Sequence, residues 1–187
     1  MWAAPSERSS TREVKPRRIG PFLLALVAAV PGSARVVSTS EAGIVVESSV
    51  RVAATPDRVW ATLIVPARWW SPEHSWSGEA KNFTLEARAG GCFCEVLPGG
   101  GSVEHLRVIY VAPAQMLRLY GGLGPLQGDA AAGPLTWTLA KDGAGTRVSL
   151  RYAVAGVARM PWPVFAPLAD TMLAEQLTRL KAAAEAR

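Results

Sequence analysis

Phe165-Ala-Pro-Leu-Ala-Asp-Thr-Met-Leu-Ala-Glu-Gln-Leu-Thr-Arg-Leu-Lys-Ala-Ala-Ala184 closes the chain, and its spacing decides the fold. Phe165, Leu168, Met172, Leu177, Leu180 and Ala184 recur at helical intervals and predict one apolar face. Pro167 is read as lying in the first turn, where a missing N–H costs nothing, and Arg179, Lys181 and Arg187 favour the carbonyl end. A helix of about 20 residues is ~30 Å long. Such a helix with one apolar face must lie across a sheet, and a strongly curved antiparallel sheet would wrap around it and enclose a cavity.

The strands stand just upstream. Residues 134–140 and 146–154 flank Lys141-Asp-Gly-Ala-Gly145, whose glycines supply the positive φ of a hairpin turn. Alternation sets Leu135, Trp137 and Leu139, then Val148, Leu150, Tyr152 and Val154, on the inner face, with Leu117 and Leu119 beside them. Earlier strands are expected over 83–88, 92–97, 103–111 and 116–120, separated by Gly- and Pro-rich turns, with 121–133 as a long loop. A first strand covers 44–53. Thr55-Pro56-Asp57 then supplies a cap, a proline and an early acid for a short helix over 56–64. Pro66 opens a second short helix ending near Trp70. The order is strand, two short helices, six strands and one long helix, an α+β class.

The chain has 187 residues, 49% of them apolar, with seven Trp, which excludes disorder over most of its length. No apolar run approaches the ~20 residues of a membrane-spanning helix. Two cysteines exclude a disulfide-rich scaffold. The formal charge of +5 would ordinarily suggest a polyanionic partner. Five of the 20 basic residues and two of the 15 acidic ones, however, lie in residues 1–34, so the remainder carries +2 with no basic cluster. Nucleic acid is therefore not expected as a partner. Residues 1–34 join a basic region to the nine-residue apolar run Phe22–Val30 and the small-residue end Pro31-Gly-Ser-Ala34. These are the parts of a signal peptide, with cleavage expected after Ala34 and a periplasmic or secreted destination. Arg17-Arg18 resembles a weak twin-arginine signal, the general export route being the other reading. Residues 35–43 are then a short linker, and 44–187 one domain.

Four motifs fall in order: Ala54-Thr-Pro-Asp-Arg-Val-Trp60, Trp69-Trp70, Gly90-Gly91-Cys-Phe-Cys-Glu95 and Gly145-Thr146-Arg147. Together with the element order they resemble the START-like (SRPBCC) helix-grip superfamily of lipid-transfer domains, birch-pollen allergens and polyketide cyclases. Within it the chain looks most like the branch named for the activator of heat-shock-protein ATPase homologue. The resemblance implies a curved sheet gripping the terminal helix and a cavity for a hydrophobic or amphipathic small molecule. It also implies that only some members catalyse a reaction.

Candidate sites follow from the residues. Trp69-Trp70-Ser-Pro-Glu-His74-Ser-Trp76 packs three Trp and a His into eight residues broken by proline, and reads either as the mouth of a pocket or as a cap on the barrel. Phe93, Tyr110, Trp137, Tyr152 and Met172 are the further positions expected to line the cavity; the plain alternative for each is core packing. Trp137 and Tyr152 also carry polar tips that need partners. Cys92 and Cys94 share one strand face, with Phe93 and Glu95 on the other. With His105 they form an incomplete metal set, a disulfide between residues two apart on a strand strains the reach, and two half-buried thiols are the expected state. Alternation places Glu104 with Leu106, Val108 and Tyr110, one of Glu104 and His105 must face inward, and an enzyme would draw an acid/base pair from Glu95, Glu104 and His105. No nucleophile elbow or phosphate-cradling loop is present, and no cofactor is called for. The reading is a non-catalytic, exported carrier of a hydrophobic small molecule. Alternatives are a cyclase- or hydratase-type enzyme in the same cavity and a module docking a protein through its Trp-rich loop.

Overall fold

A computed structural model describes residues 33–186. Eight strands form one antiparallel sheet in the order β1-β2-β8-β7-β6-β5-β4-β3. The strands are β1 (Ser33–Thr39), β2 (Gly43–Val52), β3 (Phe83–Leu85), β4 (Cys92–Val96), β5 (Ser102–Ala112), β6 (Met116–Gly121), β7 (Ala130–Asp142) and β8 (Gly145–Val157). Helix α1 (Pro56–Leu63) follows β2, and the long α2 (Trp162–Glu185) closes the chain against β1 and β2. This is the helix-grip α+β architecture. Among the described residues no helix is long and apolar enough to cross a membrane.

The local signals act as the sequence implies. Thr55 Oγ1 accepts the Arg58 N–H and caps α1, with Pro56 in its first turn. Gly143 takes a φ of 60° in the two-residue turn between Asp142 and Gly145. A Cβ on Gly145 would stand 2.4 Å from the Val52 carbonyl oxygen, and the neighbouring Thr146 hydroxyl donates to the Ala54 carbonyl at 2.7 Å. The motif Gly145-Thr146 thus ties the last hairpin to the entry of α1. Every inner-face residue expected on β6, β7 and β8 is buried.

Four expectations need correction. Residues 35–43 are not merely a linker, since β1 covers Ser33–Thr39 and pairs with β2. This edge strand escapes a pattern search because one of its residues, Val36, packs half-buried against the core while its neighbours are exposed. Cleavage after Ala34 would fall inside β1; the rest of the expected signal segment, 1–32, lies outside the described residues. The loop expected over 121–133 is shorter, with a 3-10 turn at Gly124–Gly128 and β7 beginning at Ala130. The second short helix is only the 3-10 turn Pro66–Arg68. Finally, α2 starts at Trp162, which puts Pro167 inside the helix, and its buried stripe runs through Phe165, Ala169, Leu173, Gln176, Leu177 and Leu180. Leu168 is 55% exposed and Met172 half-buried, because the stripe advances by fours through Ala169 and Leu173 and leaves both to one side.

Candidate functional site

Between α1 and β3 the chain makes no regular helix. Pro66 and Pro72 each open a single 3-10 turn, and a third spans Ala80–Asn82. Prolines at this spacing interrupt the i→i−4 ladder and leave an irregular strap, 66–82, over the inner face of the sheet. Trp69 and Trp70 turn inward from it and are buried. Trp69 meets Trp137 edge to face with centroids 5.6 Å apart and Trp70 at 5.5 Å. Trp70 in turn meets Phe93 at 5.1 Å, and Phe83 stacks on Phe93 at 5.4 Å and on the His105 ring at 5.0 Å. An unbroken aromatic array thus runs from β7 to a histidine. Between Trp69, Trp70, Phe93, Trp137, Leu117 and Leu135 remains a void of about 20 Å³, room for one water at most.

Polar clamps fasten the strap at both margins. On the helix side, Gln176 Oε1 accepts the Ser71 N–H at 2.9 Å, Arg179 Nε donates to the Trp69 carbonyl at 2.9 Å, and His74 Nε2 stands 3.0 Å from Glu175 Oε2. On the sheet side, Glu95 is completely buried on β4 and accepts the N–H groups of Trp76, at 3.1 Å, and Ser77. Its Oε2 also lies 2.8 Å from His105 Nε2. Trp69 and Trp70 donate their indole N–H to the Leu63 and His74 carbonyls.

A β-bulge brings His105 to this place. Phe93 pairs with Leu106 but Cys94 with Glu104, so His105 is an extra residue on β5 and the side-chain alternation slips by one. His105 and Leu106 are therefore both buried, whereas Glu104 points outward and pairs with Arg107. Glu104 thus leaves the candidate acid/base set, and Glu95–His105 remains. Burial pushes the Glu95 carboxyl up, but the bonds from Ser77, the Trp76 amide and His105 outweigh it and hold the pKa below its usual range. Burial against the Phe83 and Phe93 rings lowers the His105 pKa, against the pull of Glu95. Near pH 7 the pair is a carboxylate beside a neutral imidazole, able to take up and return a proton. While the strap is closed, Glu95 holds it down through the Trp76 and Ser77 N–H groups and His105 braces Glu95.

The remaining expected site residues divide. Trp69, Trp70, Phe93 and Trp137 come together around the void. His74 sits at the strap's outer margin as a clamp. Trp76 is the strap's exposed indole, at 59%, so the Trp-rich loop presents one ring to solvent rather than three. Tyr110 is not in the cavity: a second bulge, at Ile109, turns it to the opposite sheet face, where Arg118 lies over its ring. Tyr152 is inward but its tip is spoken for. The hydroxyl donates to the Gly121 carbonyl and accepts the Leu123 N–H, and burial pushes its pKa up to about 12. Met172 packs at the core's edge. Cys92 and Cys94 form a disulfide rather than two free thiols, their Cα atoms 5.3 Å apart beside the bulge, well within bridging reach. His105 points to the other side of the sheet, so Cys92, Cys94 and His105 do not converge as metal ligands. Sequence reasoning missed Gln176, Arg179 and Phe83. Gln176 was findable, being an uncharged polar residue on an apolar helix stripe.

The family described as polyketide cyclase/dehydrase and lipid transport matches residues 43–185. Search of curated proteins finds no match to the chain. Among solved structures, a protein of Rhizobium leguminosarum is 18% identical with a TM-score of 0.58, covering 82% of this chain and 97% of its own. The Aha1 dimer of Colwellia psychrerythraea is 16% identical with a TM-score of 0.50, covering 75% and 96%. DynU16, a protein in the dynemicin biosynthetic locus, is 18% identical with a TM-score of 0.52, covering 77% of this chain and 47% of its own. These likenesses concern the fold.

Proposed function

We propose, because the chain belongs to the polyketide cyclase/dehydrase and lipid-transport family, that it is an exported binding protein for a hydrophobic small molecule. The ligand enters between sheet and α2 by displacing the strap over 66–82. The observation that carries this reading is the aromatic array around a void of about 20 Å³, covered by an irregular segment held by side-chain clamps. A void of about 20 Å³ takes no organic ligand as it stands, so binding and strap opening are one event. Trp69, Trp70, Phe93 and Trp137 then supply flat apolar surfaces for an aromatic or polycyclic guest.

Native mass spectrometry of protein from its own host tests both parts. A co-purifying small molecule and a mature chain beginning at residue 35 are expected. Protein without ligand under every condition defeats the carrier reading, and a retained N-terminus defeats the export reading.

Glu95–His105 supports a second reading as a cyclase- or dehydratase-type acid/base pair, because the aromatic array ends on it. The locus named for DynU16 is in keeping with that chemistry. A co-purified ligand converted by the wild type and left unchanged by His105→Gln would favour catalysis; equal binding without conversion by either favours the carrier.

A further inference from the structure

The face of the sheet turned away from α2 holds a hollow of about 870 Å³, unrelated to the aromatic void. Register lays one residue from each of six strands side by side, five across the hollow and Tyr110 beyond its lining. Arg35 faces Glu47, Glu47 faces Arg151, Arg151 faces Thr136, Thr136 faces Arg118, and Arg118 faces Tyr110. The adjoining row is Ser49, Ser149, Thr138 and Met116. A solvated antiparallel face commonly balances its charges across neighbouring strands. Here three guanidinium groups meet one carboxylate, and Glu47 is already taken by Arg151 Nε at 2.8 Å. Arg118 is half-buried and makes no ion pair among the described residues. Its Nε donates to Thr136 Oγ1 at 3.1 Å, and the guanidinium sits 5.7 Å from the Tyr110 ring centre. The group is thus oriented on both sides while its charge lacks a counter-ion. The bulge at Ile109 leaves Ile109 and Tyr110 both outward, and with Met116 and Tyr120 they add apolar surface beside the cation.

We propose that this hollow binds an amphipathic organic anion, its carboxylate on Arg118 and the Thr136 and Thr138 hydroxyls, its apolar part over Ile109, Met116 and Tyr120. The site is separate from the inner pocket. Arg118 and Thr136 alternate with Leu117, Leu135 and Trp137, which face the other way, so the two sites share strands but no side-chain surface. An oriented guanidinium with hydroxyls around it favours a carboxylate over a neutral head. The balance of lining charge, two net positive among Arg35, Glu47, Arg118 and Arg151, acts in the same sense.

The test is titration of the full chain with decanoate, and with decanol as the neutral control, followed by amide and Arg Nε–H chemical shifts and by calorimetry. Decanoate is expected to shift Arg118, Thr136, Thr138 and Ser149, and decanol is not. Arg118→Gln should weaken decanoate binding roughly tenfold or more, the usual worth of a charged hydrogen bond. Thr136→Val, which leaves the charge in place, should weaken it less. Higher salt should weaken wild-type binding. Decanoate that leaves the outer face unshifted, or Arg118→Gln that binds as the wild type does, overturns the proposal. Shifts confined to the Trp69 and Trp137 indoles would do the same while leaving the inner-pocket reading intact.

Discussion

Removing the Glu95 carboxylate should unfasten the strap and cost more than any other single polar change in the molecule. Glu95→Ala leaves the Trp76 and Ser77 N–H groups and the His105 ring without their acceptor, in a place no water reaches. Each buried donor left without its acceptor costs about 1–3 kcal/mol, so the three together should cost several kcal/mol. Glu95→Gln keeps the shape and one acceptor oxygen but turns an NH2 towards donors, and should cost about 1–3 kcal/mol. Urea unfolding at pH 7, followed by circular dichroism and tryptophan fluorescence, reads both. The pH dependence supplies a check that needs no variant. The His105 pKa is lowered by burial from its ordinary 6.5, so below that pH the unfolded chain takes a proton that the folded one refuses. Stability should therefore fall as the pH drops below 6.5. The Glu95 pKa is held below its ordinary 4.5, despite burial, by the bonds from Ser77, Trp76 and His105. Its contribution is complete above 4.5 and is lost as the pH falls through the lower folded value. His105→Gln should remove the upper part of this acid loss and leave the lower. If Glu95→Ala costs less than about 1 kcal/mol, or if wild-type stability is flat from pH 7 to pH 4, the clamp reasoning is wrong.

Three further outcomes are expected. Trp137→Ala opens a cavity where Trp69 now stacks and should cost about 3–5 kcal/mol in urea unfolding, with part of the loss recovered on adding a small aromatic such as indole. Asp170 on α2 has its pKa raised by burial, only partly offset by the Arg35 N–H, and its Oδ1 finds no partner. A raised carboxyl pKa penalises the folded state once the pH exceeds the unfolded value, so Asp170→Asn should raise the melting temperature at pH 7 and not at pH 3. Ala114 holds a φ of 58° in the turn between β5 and β6, and Ala114→Gly should stabilise by about 0.5–1 kcal/mol in the same unfolding assay.

The fold was legible because its signals are periodic and local. The cap at Thr55, the Gly143 turn and the apolar alternation of β6 to β8 each need only neighbouring residues to be read. The site was half legible. Glu95 and His105 stand out as polar residues in apolar strands, but which of Glu104 and His105 faces inward depends on one inserted residue in β5. A bulge leaves no compositional mark, and the same device sends Tyr110 to the wrong face of a simple alternation. The Cys92–Cys94 bridge is unexpected for a related reason, since an ideal strand holds such residues farther apart than the 5.3 Å found beside the bulge. Gln176 and Arg179 act over more than 100 residues of sequence separation, on Ser71 and Trp69, so no local pattern announces them. Whether a cavity stands open depends on how three tryptophans pack, which alternation does not specify.

Entry of a hydrophobic guest beneath the tryptophan strap is the step on which the proposed function stands. Its most direct measurement is an indole N–H spectrum of the protein titrated with N-phenyl-1-naphthylamine, a neutral aromatic probe. Saturable shifts of the Trp69, Trp70 and Trp137 indoles are expected, with movement of the Trp76 and Ser77 amides as the Glu95 clamp releases, and an unmoved Trp162 indole, which is bonded to the Gly156 carbonyl. A probe that binds without touching Trp69 and Trp137, or that does not bind at all, would contradict it.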